Sequence, residues 1–167
     1  IKGVAPHCEH SRALWESKRF VHAVLPMEGQ QGGCLHFFCL YGYTNAARCP
    51  EQRRLNEELL QNVLAYAAGL GEVAIAILGD FNVPTELSLT LTSASATGRW
   101  AEAASIQQAL DGRPLENTCF VHPDSPGSRI DMISCSQVLS PCFSQFWFIE
   151  GLSVPKHKAV VARFNLE

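Results

Sequence analysis

The chain has 167 residues, of which 47% are apolar and 17% are charged, and its net charge is -3. This length and apolar content are enough for one packed domain and exclude a mainly disordered chain. The slightly acidic balance excludes the strongly basic surface of a dedicated nucleic-acid-binding module, so a polyanionic ligand would need a metal ion or a local cluster of cations. The longest apolar run, 73–78, is far too short to span a bilayer.

In the first half of the chain, glycines and prolines separate well-defined apolar patterns. Residues 1–17 have no usable periodicity and predict an irregular entry segment. Residues 19–27 and 34–41 are short apolar runs, and the glycines between them predict a hairpin of two strands. Leucines at steps of four residues, with a proline at the start and a glycine at the end, predict an amphipathic helix over 50–69. Residues 72–78 are almost entirely apolar, which predicts a strand covered on both faces.

The second half is richer in strand patterns and harder to divide. Alternating leucines over 87–91 predict a strand, and residues 100–110 predict a short helix. Four later runs predict further strands: 118–121, 129–134, 143–149 and 159–164. Since no repeat, low-complexity tract or linker divides the chain, residues 1–167 are predicted to form a single α/β domain with more strands than helices.

The seven cysteines form an odd set without a Cys-x-x-Cys pair. Several of them lie in apolar runs, where cysteine behaves as a small hydrophobic residue. This pattern favours a reducing intracellular compartment, nuclear or cytoplasmic, over a disulfide framework, and it leaves a pair of Cys34 with Cys39 open. Because the chain begins at Ile1 rather than Met, we expect it to be part of a longer protein.

Asp80 and Asn82 follow the most apolar predicted strand, at a position where strand ends present chemical groups to ligands. Two residues apart on an extended segment, their side chains would point to the same side. A carboxylate beside a carboxamide suits a site that moves a proton and donates a hydrogen bond to a developing anion. The same Gly-Asp-Phe-Asn tetrapeptide is also typical of an ordinary turn, so this motif alone leaves both interpretations open.

Asp131 lies inside a run that reads as buried, where a carboxylate needs a partner because its desolvation is costly. Arg129 is one candidate for that partner. A histidine is the other, since an Asp–His pair fixes the imidazole tautomer and favours its protonated form. His157 lies between two lysines just before the last predicted strand, and by itself such a histidine is more often structural or solvated.

Four short segments occur in a characteristic order along the chain. A tyrosine-containing strand end at 40–45 is followed by Gly-Asp-Phe-Asn at 79–82, then by Thr118 with Ser-Arg-Ile-Asp at 128–131, and finally by a histidine before an aliphatic strand. This order resembles the endonuclease/exonuclease/phosphatase superfamily, which includes apurinic/apyrimidinic endonucleases and the endonuclease domains of non-LTR retrotransposons. The similarity covers residues 19–166, and four motifs in order are more specific than any one alone.

The resemblance implies a role for each of these side chains. Asp80 would activate the attacking water or protonate the leaving oxygen, and Asn82 would orient Asp80 and the phosphate. Asp131 would orient His157, which would stabilise the charge that develops on the phosphorus. The remaining candidates for contact with the substrate are Tyr41 at the scissile phosphate, Asn45 beside it, Arg129 and Lys156.

Two departures from the family pattern concern metal binding. Lys156 stands where the family commonly has an Asp before the histidine, and a cationic side chain cannot bind a metal ion. The family's metal-binding Glu has no counterpart that we can assign, because neither Glu9 nor Glu16 follows an apolar strand. The metal ligands therefore stay unassigned, and we expect an N-terminally incomplete domain that forms the C-terminal part of a four-layer, two-sheet sandwich with helices outside.

The resemblance implies phosphodiester hydrolysis that depends on Mg²⁺ or Mn²⁺, with a DNA endonuclease as the leading interpretation. Phosphatases and lipid phosphodiesterases share the same motifs, so a phosphorylated small molecule or a lipid is the alternative substrate. Lys156 and the missing Glu leave a third possibility, an inactive truncated remnant.

Other residues with suggestive chemistry favour plainer interpretations. The ligand-type residues at 7–10 are too closely spaced for a regular tetrahedral zinc site. Aromatic residues in strand-like runs favour core packing over stacking on bases, namely Trp100, Trp147 and Phe148. Arg99 and Arg113, in the irregular region, are the candidates that we keep for phosphate or strand contacts.

Overall fold

The computed structural model describes residues 1–27, 33–122, 124–149 and 156–166. Within these ranges the strands and α-helices are β1 (Lys2–Gly3), α1 (Glu9–Ser17), β2 (Phe20–Pro26), β3 (Cys34–Tyr41), α2 (Pro50–Gly69), β4 (Ala74–Asp80), α3 (Leu89–Ala96), β5 (Trp100–Glu102), α4 (Ala103–Asp111), β6 (Asp131–Ser136), β7 (Phe143–Ile149) and β8 (Ala159–Phe164). Two short 3₁₀ helices, Thr85–Leu87 and Ser140–Cys142, complete the elements of the described part. No helix in this part is long and apolar enough to cross a membrane.

The strands form two sheets. Six of them lie in the order β1-β2-β3-β4-β6-β5, and the other two form a separate β7–β8 hairpin. The pair β3–β4 is parallel and α2 makes the crossover between its strands, whereas the other pairs are antiparallel. The predicted α/β class is confirmed by this arrangement of two sheets and four helices.

The two faces of the six-stranded sheet are covered by different layers. Helices α1 and α2 pack on one face, where Phe38, Leu60 and Ile77 belong to one buried cluster. The opposite face meets α4 and the β7–β8 hairpin through Ala76, Cys135 and their neighbours. β4 is therefore buried on both faces, as its unbroken apolar sequence predicts.

The elements with strong sequence signals are confirmed. Helix α2 begins at Pro50, in the first turn, where its missing N–H costs nothing, and it ends at Gly69. β2 and β3 form the predicted antiparallel hairpin, with Phe20 opposite Leu40. The predicted turn between these strands falls largely on residues 28–32, which lie outside the described residues.

The prediction of an irregular segment over 1–17 is wrong, because this segment contains α1. Its N-terminus is stabilised by a reciprocal cap, in which the Cys8 side chain accepts from the Ser11 N–H and the Ser11 hydroxyl accepts from the Cys8 N–H. Leu14 is the main apolar anchor on its inner face, at 1% exposure. Few residues of this short helix are apolar, so its sequence offers little pattern to recognise, and a cysteine cap is an unusual signal.

The prediction of a strand over 87–91 is also wrong. Leu87 ends a 3₁₀ helix, and Leu89 begins α3, whose Ser88 cap accepts from the Leu91 N–H. Leu87 and Leu89 are exposed, so the apparent alternation does not come from one buried face of a strand.

Three other boundaries shift. The predicted helix over 100–110 starts as strand β5, which continues into α4 at Ala103. The predicted strand 118–121 is reduced to isolated bridges from Cys119 to Ser128 and His157. β6 begins at Asp131, two residues after the predicted start. The seven cysteines all lie in the described part, and no disulfide joins any two of them.

Candidate active site

Three candidate side chains lie in one lateral row at one edge of the large sheet. Tyr41 ends β3, Asp80 ends β4, and Asp131 begins β6. The register pairs Tyr41 with Asp80 and Asp80 with Asp131. Paired residues on neighbouring strands project to the same face of a sheet, so the three side chains share the face that is opposite α2. The fold thus brings together residues that are 90 positions apart in sequence.

His157 joins this row from the segment before β8. Its Nδ1 lies 2.8 Å from Oδ2 of Asp131, and both side chains are mostly buried, at 28% and 17% exposure. The Thr118 hydroxyl accepts hydrogen bonds from the backbone N–H groups of Ile130 and Asp131, which fixes the start of β6. The partner of Asp131 is therefore the histidine.

Arg129, the other partner considered for Asp131, is engaged elsewhere. Its guanidinium pairs with the Glu102 carboxylate of β5, and the two side chains are only 15% and 11% exposed. A charged pair this deeply buried has a structural role, because either charge alone would be strongly destabilising. Arg129 is therefore paired with Glu102 rather than with Asp131, and its contact with the substrate stays a prediction.

Asp80 is half-buried beside a second carboxylate. Burial raises the pKa of Asp80, and the neighbouring Asp131 raises it further. The backbone N–H of Asn82, 2.8 Å from Oδ1 of Asp80, acts in the opposite direction, as does His157. Asp80 thus holds a proton at higher pH than an ordinary aspartate does.

Asn82 does not lie on an extended segment as expected, because its backbone has φ of 53° in the left-handed region. Its backbone N–H orients the Asp80 carboxylate, while its side-chain amide donates to the Gly42 carbonyl at 3.1 Å. The expected link between Asn82 and Asp80 is present, made by the main chain. A direct contact of Asn82 with phosphate stays a prediction.

A buried asparagine that the sequence reasoning missed ties together the loops after β3 and β4. Asn56 of α2 is 1% exposed and donates to the Phe81 carbonyl at 3.1 Å, while its Oδ1 accepts from the Tyr43 N–H at 2.8 Å. Gly42 lies against the same carbonyl, and a Cβ there would come within 2.2 Å of the Phe81 oxygen. In the sequence, the one signal for this role of Asn56 was a polar residue at a core position of α2.

The rim of the site carries an exposed tyrosine and a fixed arginine. Tyr41 is 51% exposed, and its hydroxyl lies 3.5 Å from Oγ1 of Thr44. The Arg19 guanidinium donates to the Gly42 carbonyl at 2.9 Å and stacks 4.2 Å from the centre of the Tyr43 ring. Sequence reasoning missed Arg19, which was assigned only to the start of a strand.

The two remaining candidates for substrate contact are exposed and lie in turns. Asn45 has φ of 66°, and its carbonyl accepts from the N–H groups of Arg48 and Cys49. Lys156 has φ of 69°, and its carbonyl accepts from the Phe120 N–H at 2.7 Å. Both side chains are exposed, so substrate contact by either stays a prediction.

Asp80, Asp131 and His157 also form the one group of three potential metal ligands found among the described residues, with ligand atoms within 4.8 Å of one another. Carboxylate oxygens are the ligands that Mg²⁺ and Mn²⁺ prefer, and Mg²⁺ is commonly held by one or two of them. This donor set therefore fits the expected metal. Glu9 and Glu16 lie on α1, which packs on the other face of the sheet.

Cys119 lies on the far side of the histidine ring, 3.6 Å from its Nε2. Burial raises the pKa of the Cys119 thiol, and the charges of Asp131 and Asp80 raise it further. The sequence reasoning did not single out this residue, since a lone cysteine in a short apolar run gives no signal.

A cavity of about 400 Å³ opens beside His157, between α4 and the β7–β8 hairpin. Arg113, Lys158, Trp147 and Phe148 are among its lining residues. Lys158 is held by Glu116 at 2.8 Å and lies 5.2 Å from the centre of the Phe148 ring. Trp147 and Phe148, predicted for the core, are therefore partly accessible here, and a phosphate contact of Arg113 stays a prediction.

Several solved structures share this fold. The catalytic domain of APE2 from Xenopus laevis has a TM-score of 0.71 at 18% identity, with 94% of this chain and 58% of that chain covered. The 3' phosphatase NExo from Neisseria, bound to a product DNA hairpin, has a TM-score of 0.67 at 14% identity, with coverages of 89% and 65%. An AP endonuclease from Archaeoglobus fulgidus has a TM-score of 0.64 at 12% identity, with coverages of 90% and 66%.

These similarities confirm the expected fold, that of the endonuclease/exonuclease/phosphatase proteins. The chain spans 58% to 66% of the length of these three structures. No protein-family model and no curated protein sequence matches the chain.

Proposed function

We propose that a chain with this fold forms the reaction centre of a divalent-metal-dependent phosphodiesterase, and that it acts on DNA as an endonuclease. The observation that supports this most is the convergence of Asp80, Asp131 and His157, from three separate segments, on one edge of the sheet. Hydrolysis of a phosphodiester needs a positioned water, a proton donor for the leaving oxygen and cationic groups at the phosphate.

Asp80 is suited to proton transfer. Burial is the main cause of its raised pKa. A pKa closer to neutral pH makes a carboxyl group a more effective acid–base catalyst. The Asn82 N–H fixes one of its oxygens and leaves the other for water or the leaving group.

His157 is suited to stabilise negative charge. Asp131 holds its Nδ1, which leaves Nε2 as the nitrogen that can donate to a phosphate oxygen. The carboxylate of Asp131 fixes the orientation of the ring within a partly buried site. The pair thus provides an oriented hydrogen-bond donor, and Asp131 acts through His157 as a positioning residue.

Asp80 and Asp131 are the residues that would hold a Mg²⁺ or Mn²⁺ ion. When bound, such an ion supplies positive charge at the phosphate oxygens and the leaving group. With two carboxylates as its protein ligands, we expect weak binding of Mg²⁺ to this chain. Calorimetry that gave tight, stoichiometric Mg²⁺ binding would contradict this expectation.

Cations on the rim support a polyanionic substrate despite the net charge of -3. Lys156 is exposed beside His157, and Arg19 lies next to Tyr41. A local cluster of this kind attracts phosphates within about 10 Å at ordinary salt, whatever the overall charge.

A substrate panel tests the proposal. Supercoiled plasmid, an abasic duplex, a duplex with a 3' phosphate and an inositol phosphate are incubated with the chain over a Mg²⁺ and a Mn²⁺ titration. We expect nicking of plasmid or abasic DNA that disappears in the Asp80→Asn variant. Nicking that is unchanged in this variant would contradict the assignment, and no hydrolysis of any ester would identify the chain as an inactive form.

A phosphatase is the second candidate. It is supported by the presence of a 3' phosphatase from Neisseria among the structures that share this fold. Release of inorganic phosphate from the 3'-phosphorylated duplex, with intact plasmid, would favour this alternative.

A further inference from the structure

We propose that the cavity between α4 and the β7–β8 hairpin binds one unpaired nucleobase, so that the favoured DNA substrate has an unstacked nucleotide next to the reacting phosphate. The position of the base beside that phosphate rests on the proposed function, whereas the affinity of the cavity for a base rests on its own geometry. The cavity has a volume of about 400 Å³, within the range of roughly 300 to 1,000 Å³ that is usual for ligand pockets.

The free edge of β7 forms one wall of the cavity. The Phe146 N–H points away from β8, because it donates to Oε1 of Gln107 on α4 at 2.8 Å. Since the main-chain groups of alternate residues in a strand point to the same side, the N–H and C=O of Phe148 also face α4. Phe148 lines the cavity, so this wall presents one hydrogen-bond donor and one acceptor to a ligand.

Two aromatic rings flank this edge. Successive side chains in a strand point to opposite faces, so Trp147 and Phe148 lie on either side of the strand, and both line the cavity. The Arg163 guanidinium lies 5.5 Å from the centre of the Trp147 ring, and the Lys158 ammonium lies 5.2 Å from that of Phe148. Proteins bind unstacked bases with groups of this kind, aromatic side chains on the base faces and hydrogen bonds on the base edges.

The charges around the cavity favour an uncharged ring over a phosphate. Lys158 is paired with Glu116 at 2.8 Å, and Arg113 is paired with Asp111 at 2.9 Å. Each cation is thus balanced by a carboxylate, which would repel a phosphate group. The Glu116 carboxylate would instead accept a hydrogen bond from the amino group of a base.

Apolar side chains at the mouth of the cavity remain open to solvent. Leu115 and Ile149 both line the cavity and are 37% and 41% exposed. The faces of a base would cover these side chains and remove apolar surface from water, which favours binding.

His157 links the cavity to the row. It lines the cavity, and its Nδ1 lies 2.8 Å from Oδ2 of Asp131. A phosphate at Nε2 of His157 would therefore have the cavity beside it, within reach of the base on the adjoining sugar. A base that is paired and stacked in a duplex must first be unstacked to enter, so a nucleotide that is already unpaired is preferred.

An extended peptide fits the same edge less well. A peptide that adds a strand needs main-chain bonds at alternate residues along the edge. Gln107 already occupies the edge at Phe146, and β7 ends at Ile149. The main-chain pair of Phe148 is enough for one ring but too short for a strand.

Binding is measured first, by a readout that does not depend on activity. Deoxyadenosine monophosphate is titrated into the nitrogen-labelled chain, and the amide and indole signals are recorded by NMR. We expect the Trp147 indole and the Phe148 amide to shift, and the indoles of Trp15 and Trp100 to stay, because these two rings lie on α1 and β5. Deoxyribose phosphate, which lacks the base, should shift neither Trp147 nor Phe148.

No shift at Trp147 and Phe148, or equal shifts with deoxyribose phosphate, would overturn the proposal. A blocked tetravaline peptide is titrated in parallel, and shifts with the peptide in place of the nucleotide would overturn it in favour of a strand-pairing edge.

A matched pair of tryptophan variants identifies the ring. Trp147→Ala should weaken the binding of deoxyadenosine monophosphate about fivefold or more, because it removes one stacking face. Trp15→Ala is the control, since this ring is exposed and lies on α1, and its affinity should be unchanged. Equal affinities of the two variants would overturn the proposal. If Trp147→Ala does not fold, the NMR signals of the unmodified chain decide the question alone.

Hydrolysis then tests the position of the base. A duplex with one bulged nucleotide should be cleaved at the bulge at least about fivefold faster than the same duplex fully paired. Trp147→Ala should reduce this ratio of rates about fivefold, and Trp15→Ala should keep it. Equal rates of the unmodified chain on the two duplexes would overturn the preference. If the chain hydrolyses no ester, the proposed function fails while the NMR titration still tests the base site.

Discussion

His157 and the pair of His22 with His36 lie on opposite faces of the large sheet and differ in their partners. At the edge of one face, His157 is bonded to the carboxylate of Asp131 and remains partly exposed. On the helix-covered face, His22 is buried between neutral groups, with Nδ1 2.9 Å from the Tyr66 hydroxyl and Nε2 2.9 Å from His36. Burial among neutral groups favours the uncharged ring of His22.

The difference teaches that histidines on the two faces of one sheet have different partners and different burial, and so suit different roles. The pKa of His22 is lowered from 6.5 to about 4, mainly by burial and also by the proximity of His36 and His7. Burial also lowers the pKa of His36. The buried histidines should therefore matter for stability, and the histidine at the row for turnover.

The largest expected effect is on activity at the row. His157→Ala and Asp80→Asn should each lower the rate of phosphodiester hydrolysis by about 10²- to 10⁴-fold, because each removes a group that acts on the reacting atoms. Initial rates measured on the preferred substrate of the panel provide the test. Thermal melts should show little change in Asp80→Asn, whereas His157→Ala should lower stability because Asp131 loses its partner.

His10→Ala and Asp111→Asn are the matched controls, since both side chains are exposed and lie outside the row. Both controls should retain full activity. Equal losses in the controls and in the row variants would remove the distinction between the two faces.

A smaller effect is expected from the positioning residue. Asp131→Asn keeps the shape of the side chain but removes the charge that balances His157, and hydrolysis should slow about 10- to 100-fold. Nitrogen NMR of the His157 ring should show a weaker hydrogen bond at Nδ1 in this variant. A loss of activity without a change at Nδ1 would indicate that Asp131 acts by another route.

Acid should lower the stability of the fold through the buried His22. Because the pKa of His22 is lower in the folded state than in the unfolded state, the unfolded chain binds more protons below about pH 6.5, and stability falls as the pH drops towards 4. The titration of His22 should lower the free energy of unfolding by about 2 kcal/mol between about pH 8 and about pH 5. Urea unfolding at several pH values measures the slope.

His22→Gln is the corresponding control, since glutamine can hydrogen-bond but does not titrate in this range. Its stability should depend less on pH over the same interval. An unchanged pH dependence would show that other groups cause the acid sensitivity.

The smallest effect is expected at the Tyr66 hydroxyl, which is hydrogen-bonded to His22 of the His22–His36 pair. Tyr66→Phe leaves Nδ1 of His22 without its partner in a buried site and should cost about 1 kcal/mol of stability. Tyr43→Phe, at a ring that stacks on Arg19, should cost less. Chemical denaturation of both variants at neutral pH compares them, and equal costs would mean that the hydroxyl of Tyr66 contributes little.

The strong local patterns of the sequence were enough to predict the elements that support the site. Helix α2 and the β2–β3 hairpin have clear periodicity and clear ends, and the fold places the predicted residues Tyr41, Asp80 and Asp131 in one row. Helix α1 and α3 were missed because few of their apolar side chains are buried, so packing and caps decide their conformation more than periodicity does.

Contacts between distant segments could not be predicted from spacing. The partner of Asp131 depends on where the segment before β8 docks, and the pair of Arg129 with Glu102 depends on β5 lying beside β6. The buried pair of His22 and His36 was missed for the same reason, since it requires the exact strand register of the hairpin. The register is a property of the assembled sheet and cannot be deduced from the sequence of either strand alone.

The lateral row of Tyr41, Asp80 and Asp131 limits where the chain can tolerate insertions and deletions. Because successive side chains alternate between faces, a one-residue insertion or deletion within β4 would turn Asp80 towards α2, while the same change in a surface connection would leave it in place. The number of residues in each of these strands is therefore more tightly constrained than the identity of most of them. Variants of this domain that differ in length should differ in the connections and keep the strands intact.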